Sequence, residues 1–238
     1  MHPPGARAEC AVAPPGDGNG GGPMARHATA RDIAGMVETF VGILVGIGVA
    51  AACGFRIFLP LLALGAASRA DLVHLSPHFA ALGSTPALAA LGTAALAEIG
   101  AYYVPWVDNL LDSVATPVAV IAGTLASAAT IVDLPPVVTW GIALVGGGGA
   151  AGLLQGATAL VRLKSTATTG GVANPVVSTV EAVGAAVTSA LAILVPVACA
   201  LLLVVALTWV TRRFHRLAFG RRTAYTPGTD TGIPEAGR

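Results

Sequence analysis

Residues 182–211 run for thirty positions without one charged side chain, through the segment LAILVPVACALLLVVALTW. As one helix at 1.5 Å per residue, that stretch would measure roughly 45 Å, longer than the ~30 Å hydrocarbon core of a bilayer. Three more stretches, 79–97, 113–132 and 134–161, are charge-free over about one span, and Thr39–Phe55 begins a fifth. Few folds are open to such a chain. Backbone N–H and C=O groups in hydrocarbon must be bonded within the protein, and runs of this length satisfy them as helices. The expected fold is all-α, a polytopic transmembrane helical bundle of five or six spans.

Two regions, Ile33–Ser68 and Pro175–Thr211, exceed roughly 50 Å as single helices, whereas even a 40° tilt accommodates only about 26 residues. Each is therefore expected to contain a broken or re-entrant half-helix. Gly54 and Pro60 are the natural break in the first, and Pro196 or the Thr188–Ser189 pair in the second.

Composition agrees with the pattern. The chain is 55% hydrophobic and 11% charged, against about one quarter charged in soluble domains. A lipid bilayer is the expected partner. A net charge of +1 gives no electrostatic reason to expect nucleic acid. Cys10, Cys53 and Cys199 form no metal-ligand or disulfide pattern, and no metal or cofactor is expected. Residues 1–32 are Pro/Gly-rich, lack the apolar core of a secretory signal and are expected to be disordered, with Met24 resembling a more ordinary start. Residues 33–215 form the expected membrane domain, and 216–238 a basic, then disordered tail. Arg212, Arg213, Arg216, Arg221 and Arg222 follow the last apolar run. Their position points to a cytoplasmic C-terminus in the cell membrane. The same charge bias favours six crossings, while the lack of a polar loop near residue 190 favours five.

Several motifs fall in order along the chain: Gly54-Phe55-Arg56 with Phe58-Leu59-Pro60, then Pro105-Trp106-Val107-Asp108 with Leu111-Asp112. Thr116-Pro117 with Ala122-Gly123 follows, and then Asn174-Pro175 with Ser178 and Glu181. In these the chain resembles an uncharacterised bacterial membrane family, domain of unknown function 4126, over roughly residues 40–215. The resemblance implies an integral membrane helical bundle and carries no activity with it.

Arg56 is the residue that most needs explaining. It has seventeen uncharged residues before it and twelve after it. A lipid-facing Arg at the bilayer centre costs at least about 2.5–3.5 kcal/mol, so such residues face the bundle interior and pair. Glu98 and Glu181 are its candidate partners. Glu181 shares a small, polar helix face with Ser178, Ala185 and Thr188. Asp108 and Asp112, four apart, share another face in a polar segment expected to cap the following helix. Thr116-Pro117 reads as the start of that helix, and Asn174-Pro175 repeats the signal. Asp133, Arg162 and Lys164 fall at expected span ends, where snorkelling or water accounts for them. Gly148, Gly152 and Gly156 make a ridge against which a helix of this chain or of a second protomer can lie close, as in a glycine zipper.

Arg56, Glu98, Asp108, Asp112 and Glu181 together form the candidate intramembrane polar site. Three functions remain open on the sequence. The first is a small-solute or ion transporter or channel-like protein. The second is a non-catalytic scaffold or accessory subunit. The third is a metal-dependent membrane enzyme acting on phosphorylated lipid through the two aspartates. No Ser–His–acid or Cys–His set lies at membrane depth, so no catalytic residue is assigned.

Overall fold

A computed structural model describes the backbone of residues 23–103 and 105–219. Side chains are described within 32–212, except at 104–106, 108–110, 112, 113 and 210. The expected tails therefore lie mostly outside the described residues. The chain divides into two units, Met1–Glu38 and Thr39–Arg238. The first includes the N-terminal part of helix α1, Pro23–Cys53, and the site described below lies in the second.

All regular structure among the described residues is helical. After α1 come α2 (Phe58–Arg69), a 3-10 turn (Pro77–Gly83), α3 (Thr85–Ala101) and α4 (Pro105–Thr130). They are followed by α5 (Pro136–Ile142), a π-helical stretch (Ala143–Gly148), α6 (Gly149–Thr169), α7 (Asn174–Leu194) and α8 (Pro196–Phe219). Three helical segments are long and apolar enough to cross a membrane: Asp32–Cys53, Pro136–Thr169 and Asn174–Leu194. A fourth is reached if the 3-10 turn and α3, bent by 68°, count as one broken span. Phe58–Arg69, Val114–Thr130 and Pro196–Trp209 are apolar but shorter.

Charge-free length thus overstated helix length, because breaks fall inside the uncharged runs. The run 182–211 is divided where Val195 leaves helical geometry (φ −139°, ψ 66°) and Pro196 starts α8. A residue before proline is pushed away from the α region, which is why the chain breaks there and not at Thr188–Ser189. The first long region breaks at Gly54–Ile57, and Pro60 sits in the first turn of α2, where its missing N–H costs nothing. Thr116-Pro117 departs from its expected role. Pro117 lies inside α4, which has already begun at Pro105. Interior prolines are tolerated in membrane-type helices because neighbouring groups satisfy the freed carbonyl. Asn174-Pro175 does open a helix, α7.

The core is built from small side chains. Ala50, Ala51, Ala122, Ala126 and Ala151 are buried, and helix backbones approach closely at the glycines between them. A Cβ at Gly123 of α4 would sit 2.6 Å from Ala151 Cβ of α6 and 3.3 Å from the Ala50 carbonyl oxygen of α1. Gly42 and Gly46 of α1 meet Thr130 and Ser127 at the other end of α4. These contacts run α1 and α6 parallel, with α4 antiparallel to both. Of the expected glycine ridge, Gly148 abuts Thr124 and Val120, and Gly152 abuts Val120, all within this chain; at Gly156 a Cβ would meet nothing within 4 Å. Gly123→Val is expected to lower stability by about 1–3 kcal/mol through overpacking, while Gly156→Ala leaves it unchanged or slightly raised. Thermal unfolding of the two purified variants in detergent checks the difference.

Candidate functional site

The break after α1 creates the site. The last turn of α1 tightens, with Gly54 N–H donating to the Ala51 carbonyl (2.9 Å) and Arg56 N–H to that of Ala52 (3.2 Å). Gly54 is required here by close approach, since a Cβ would lie 2.7 Å from Leu154 Cβ and 3.0 Å from Gln155 N of α6. The chain then turns into α2, whose first amides have no helical acceptor. Glu98, in the last turn of α3, supplies both acceptors. Its Oε1 accepts from Ile57 N–H (2.8 Å) and its Oε2 from Phe58 N–H (3.1 Å). A carboxylate at a helix N-terminus also meets the positive end of the helix dipole.

Arg56 points the other way. It is the largest fully buried side chain among the described residues, at 1% exposure. Its Nη2 donates to the Ser178 carbonyl (2.9 Å) and to Ser178 Oγ, and lies 3.7 Å from Glu181 Oε2. Arg162 of α6 meets the same carboxylate, donating from Nε to Glu181 Oε1 (2.9 Å) and from Nη2 to Oε2. Tyr102, just past α3, joins the two cations, its ring centroid 3.9 Å from Arg56 Cζ and 4.1 Å from Arg162 Cζ. Cation–π contacts are worth up to about 2 kcal/mol or more when desolvated. One carboxylate and one aromatic ring thus serve two guanidinium groups.

Five segments meet at this end of the bundle: the α1–α2 link, the ends of α3 and α6, and the starts of α2 and α7. Beside the cluster an apolar cleft of about 400 Å³ opens, walled by Ile57 and Phe58, by Glu98 and Tyr102, and by Val114 and Val118 of α4. Glu98 and Tyr102 are its polar lining.

Of the residues singled out from sequence, Arg56 and Glu181 lie side by side. Glu98 lies against the same link, bonded to backbone instead of to a cation. Asp108 and Asp112 fall within α4 instead of a capping loop, and their side chains lie outside the described residues. Arg162 was assigned to a span end and is instead buried at 3% and ion-paired. Helical spacing could have found it. Ala151, Gln155 and Arg162 fall on one face of α6, and all three are buried. On α7 the buried face runs Ser178, Glu181, Ala185, Ser189, with Thr188 half-buried, because eleven residues make about three whole turns of 3.6 residues and ten fall short. Tyr102 carried no signal beyond being an aromatic four residues past Glu98.

An all-α bundle, with three to four helical spans of membrane length and a buried arginine–glutamate cluster at one end, defines the class of protein. The family described as "Domain of unknown function (DUF4126)" matches residues 43–216, and the chain belongs to that family. The matched stretch includes every residue of the cluster. No curated protein and no solved structure matches the chain.

Removing one partner of a buried ion pair costs about 3–5 kcal/mol, because the remaining charge is stranded. Glu181→Gln is therefore expected to cost that much stability, since it strands two arginines. Glu98→Gln keeps one acceptor for the α2 amides and is expected to cost about 1–3 kcal/mol. Denaturation midpoints of both variants test that order.

Proposed function

We propose that the chain is a multi-pass integral protein of the cell membrane, with a cytoplasmic C-terminus, that handles a small solute or ion at the charged cluster. The observation that carries this reading is Arg56, a fully buried guanidinium placed at a helix break and not inside a helix. Replacing buried ion pairs with well-packed apolar side chains is often neutral or stabilising. Stability alone therefore gives little reason to keep three charged side chains together here. Broken helices whose termini face the interior are how membrane transporters place backbone dipoles and charges around a solute. The neighbouring cleft gives a solute of modest size somewhere to approach.

A second reading, a scaffold or accessory subunit, is favoured by a specific feature. Both oxygens of Glu181 and both of Glu98 already have partners within the chain, as expected of a lock between helices. In that reading Gly156 and its open face are where a second protomer packs.

Flux into liposomes separates the two. The purified protein is expected to move at least one ion or small solute from a broad panel, and Arg162→Gln to reduce that flux at least about tenfold, or 1.4 kcal/mol in the barrier. A reconstituted, folded protein that moves nothing in the panel removes the first reading. An oligomer in native mass spectrometry that dissociates on Gly156→Leu would then favour the second.

A further inference from the structure

The pairing of Arg56 is incomplete in a way that indicates what the cluster takes. A guanidinium carries five N–H donors in a fixed fork and accepts nothing. Nη2 of Arg56 is occupied by Ser178 and Glu181, whereas Nε and Nη1 are buried with no hydrogen-bond partner among the described residues. Leaving such donors empty costs about 1–3 kcal/mol for a neutral group and more for a charged one, and buried polar groups in folded proteins are otherwise almost always satisfied.

The carboxylates around the guanidinium are already engaged elsewhere. Glu181, which meets Nη2, is shared with Arg162, and the two oxygens of Glu98 are turned to the Ile57 and Phe58 amides. On α7 the guanidinium meets Ser178 and Glu181, four and seven residues past Asn174, where the helix begins. Two residues beside Arg56 are its chain neighbour Ile57 and Tyr102, whose ring it faces. Both line the cleft wall.

We infer that the Nε and Nη1 edges of Arg56 are the binding point for a small acceptor-bearing anion, a carboxylate or an inorganic oxyanion, reached from the cleft past Tyr102. This deepens the solute-handling reading by naming the class of solute, and rests on that reading for its route of entry. A cation has no place here, because the open groups are donors. A neutral apolar solute would leave them empty.

Equilibrium binding tests it without reference to flux. The full-length protein in detergent is titrated with sodium acetate and, separately, with sodium phosphate, at ionic strength held constant with a bulky sulfonate. Unfolding temperature and calorimetric heat are followed. Saturable binding of at least one probe is expected, weakened about tenfold or more in Arg56→Lys, which keeps the charge but loses the fork. Should that variant not fold, Ser178→Ala serves instead. It removes the hydroxyl acceptor of Nη2, frees a further donor and is expected to tighten binding severalfold. Acetate binding alone assigns a carboxylate, and phosphate binding alone an oxyanion. No saturable binding of either probe overturns the inference, as does binding that Arg56→Lys and Ser178→Ala leave unchanged. Binding without transport leaves the inference standing and sinks the transport reading; transport of cations with no anion binding does the reverse.

Discussion

The carboxylate of Glu181 holds this end of the molecule together. It faces two buried guanidinium groups, one from the link after α1 and one from α6, and it sits on α7. Away from water such a group is strongly attractive to opposite charge and costly to leave alone. The positions of three chain segments are therefore tied to one side chain. Tyr102 adds a fourth segment through its ring, and Glu98 a fifth through the α2 amides. Apolar contacts between alanines and glycines bring the helices close, but such contacts tolerate sliding. Charged hydrogen bonds of fixed geometry set the register.

The rest of the core suits this arrangement. Helices whose interfaces are mostly Ala, Gly, Ser and Thr approach to backbone contact and leave little room for large side chains. A long, charged side chain is then the bulkiest object fully enclosed. It fits because it lies where α1 ends, in the space opened between the last turn of one helix and the first turn of the next. Gly54 allows the α6 backbone to close over the same point.

Much of this could be read from the chain, unevenly. Helicity, the apolar character of the spans and the break near Gly54 followed from periodicity and from proline and glycine chemistry. Arg56 and Glu181 stood out because a charge within an apolar run is costly wherever it lies. Arg162 did not, because it lies near a polar segment with Lys164, where a charge looks cheap; only the buried face of α6 distinguishes it. Helix ends were the least legible. Pro117 looks the same in sequence whether it opens a helix or sits inside one, and the choice depends on neighbours that satisfy the freed carbonyl. The partner of Glu98 was unreadable for a related reason, since it bonds to backbone amides, which carry no residue type.

The cluster also constrains how the molecule can be made. Arg56 precedes Ser178 by 122 residues, and Ile57 precedes Glu98 by 41. Ribosomes add about 5–20 residues per second, so Arg56 waits roughly 6–24 s of synthesis for Ser178 of α7, whereas the Ile57 amide waits only about 2–8 s for Glu98 of α3. Throughout that interval the link after α1 carries Arg56 without the Glu181 carboxylate that meets it in the folded chain. The contacts that fix this link are therefore complete only once the α7 segment has been made.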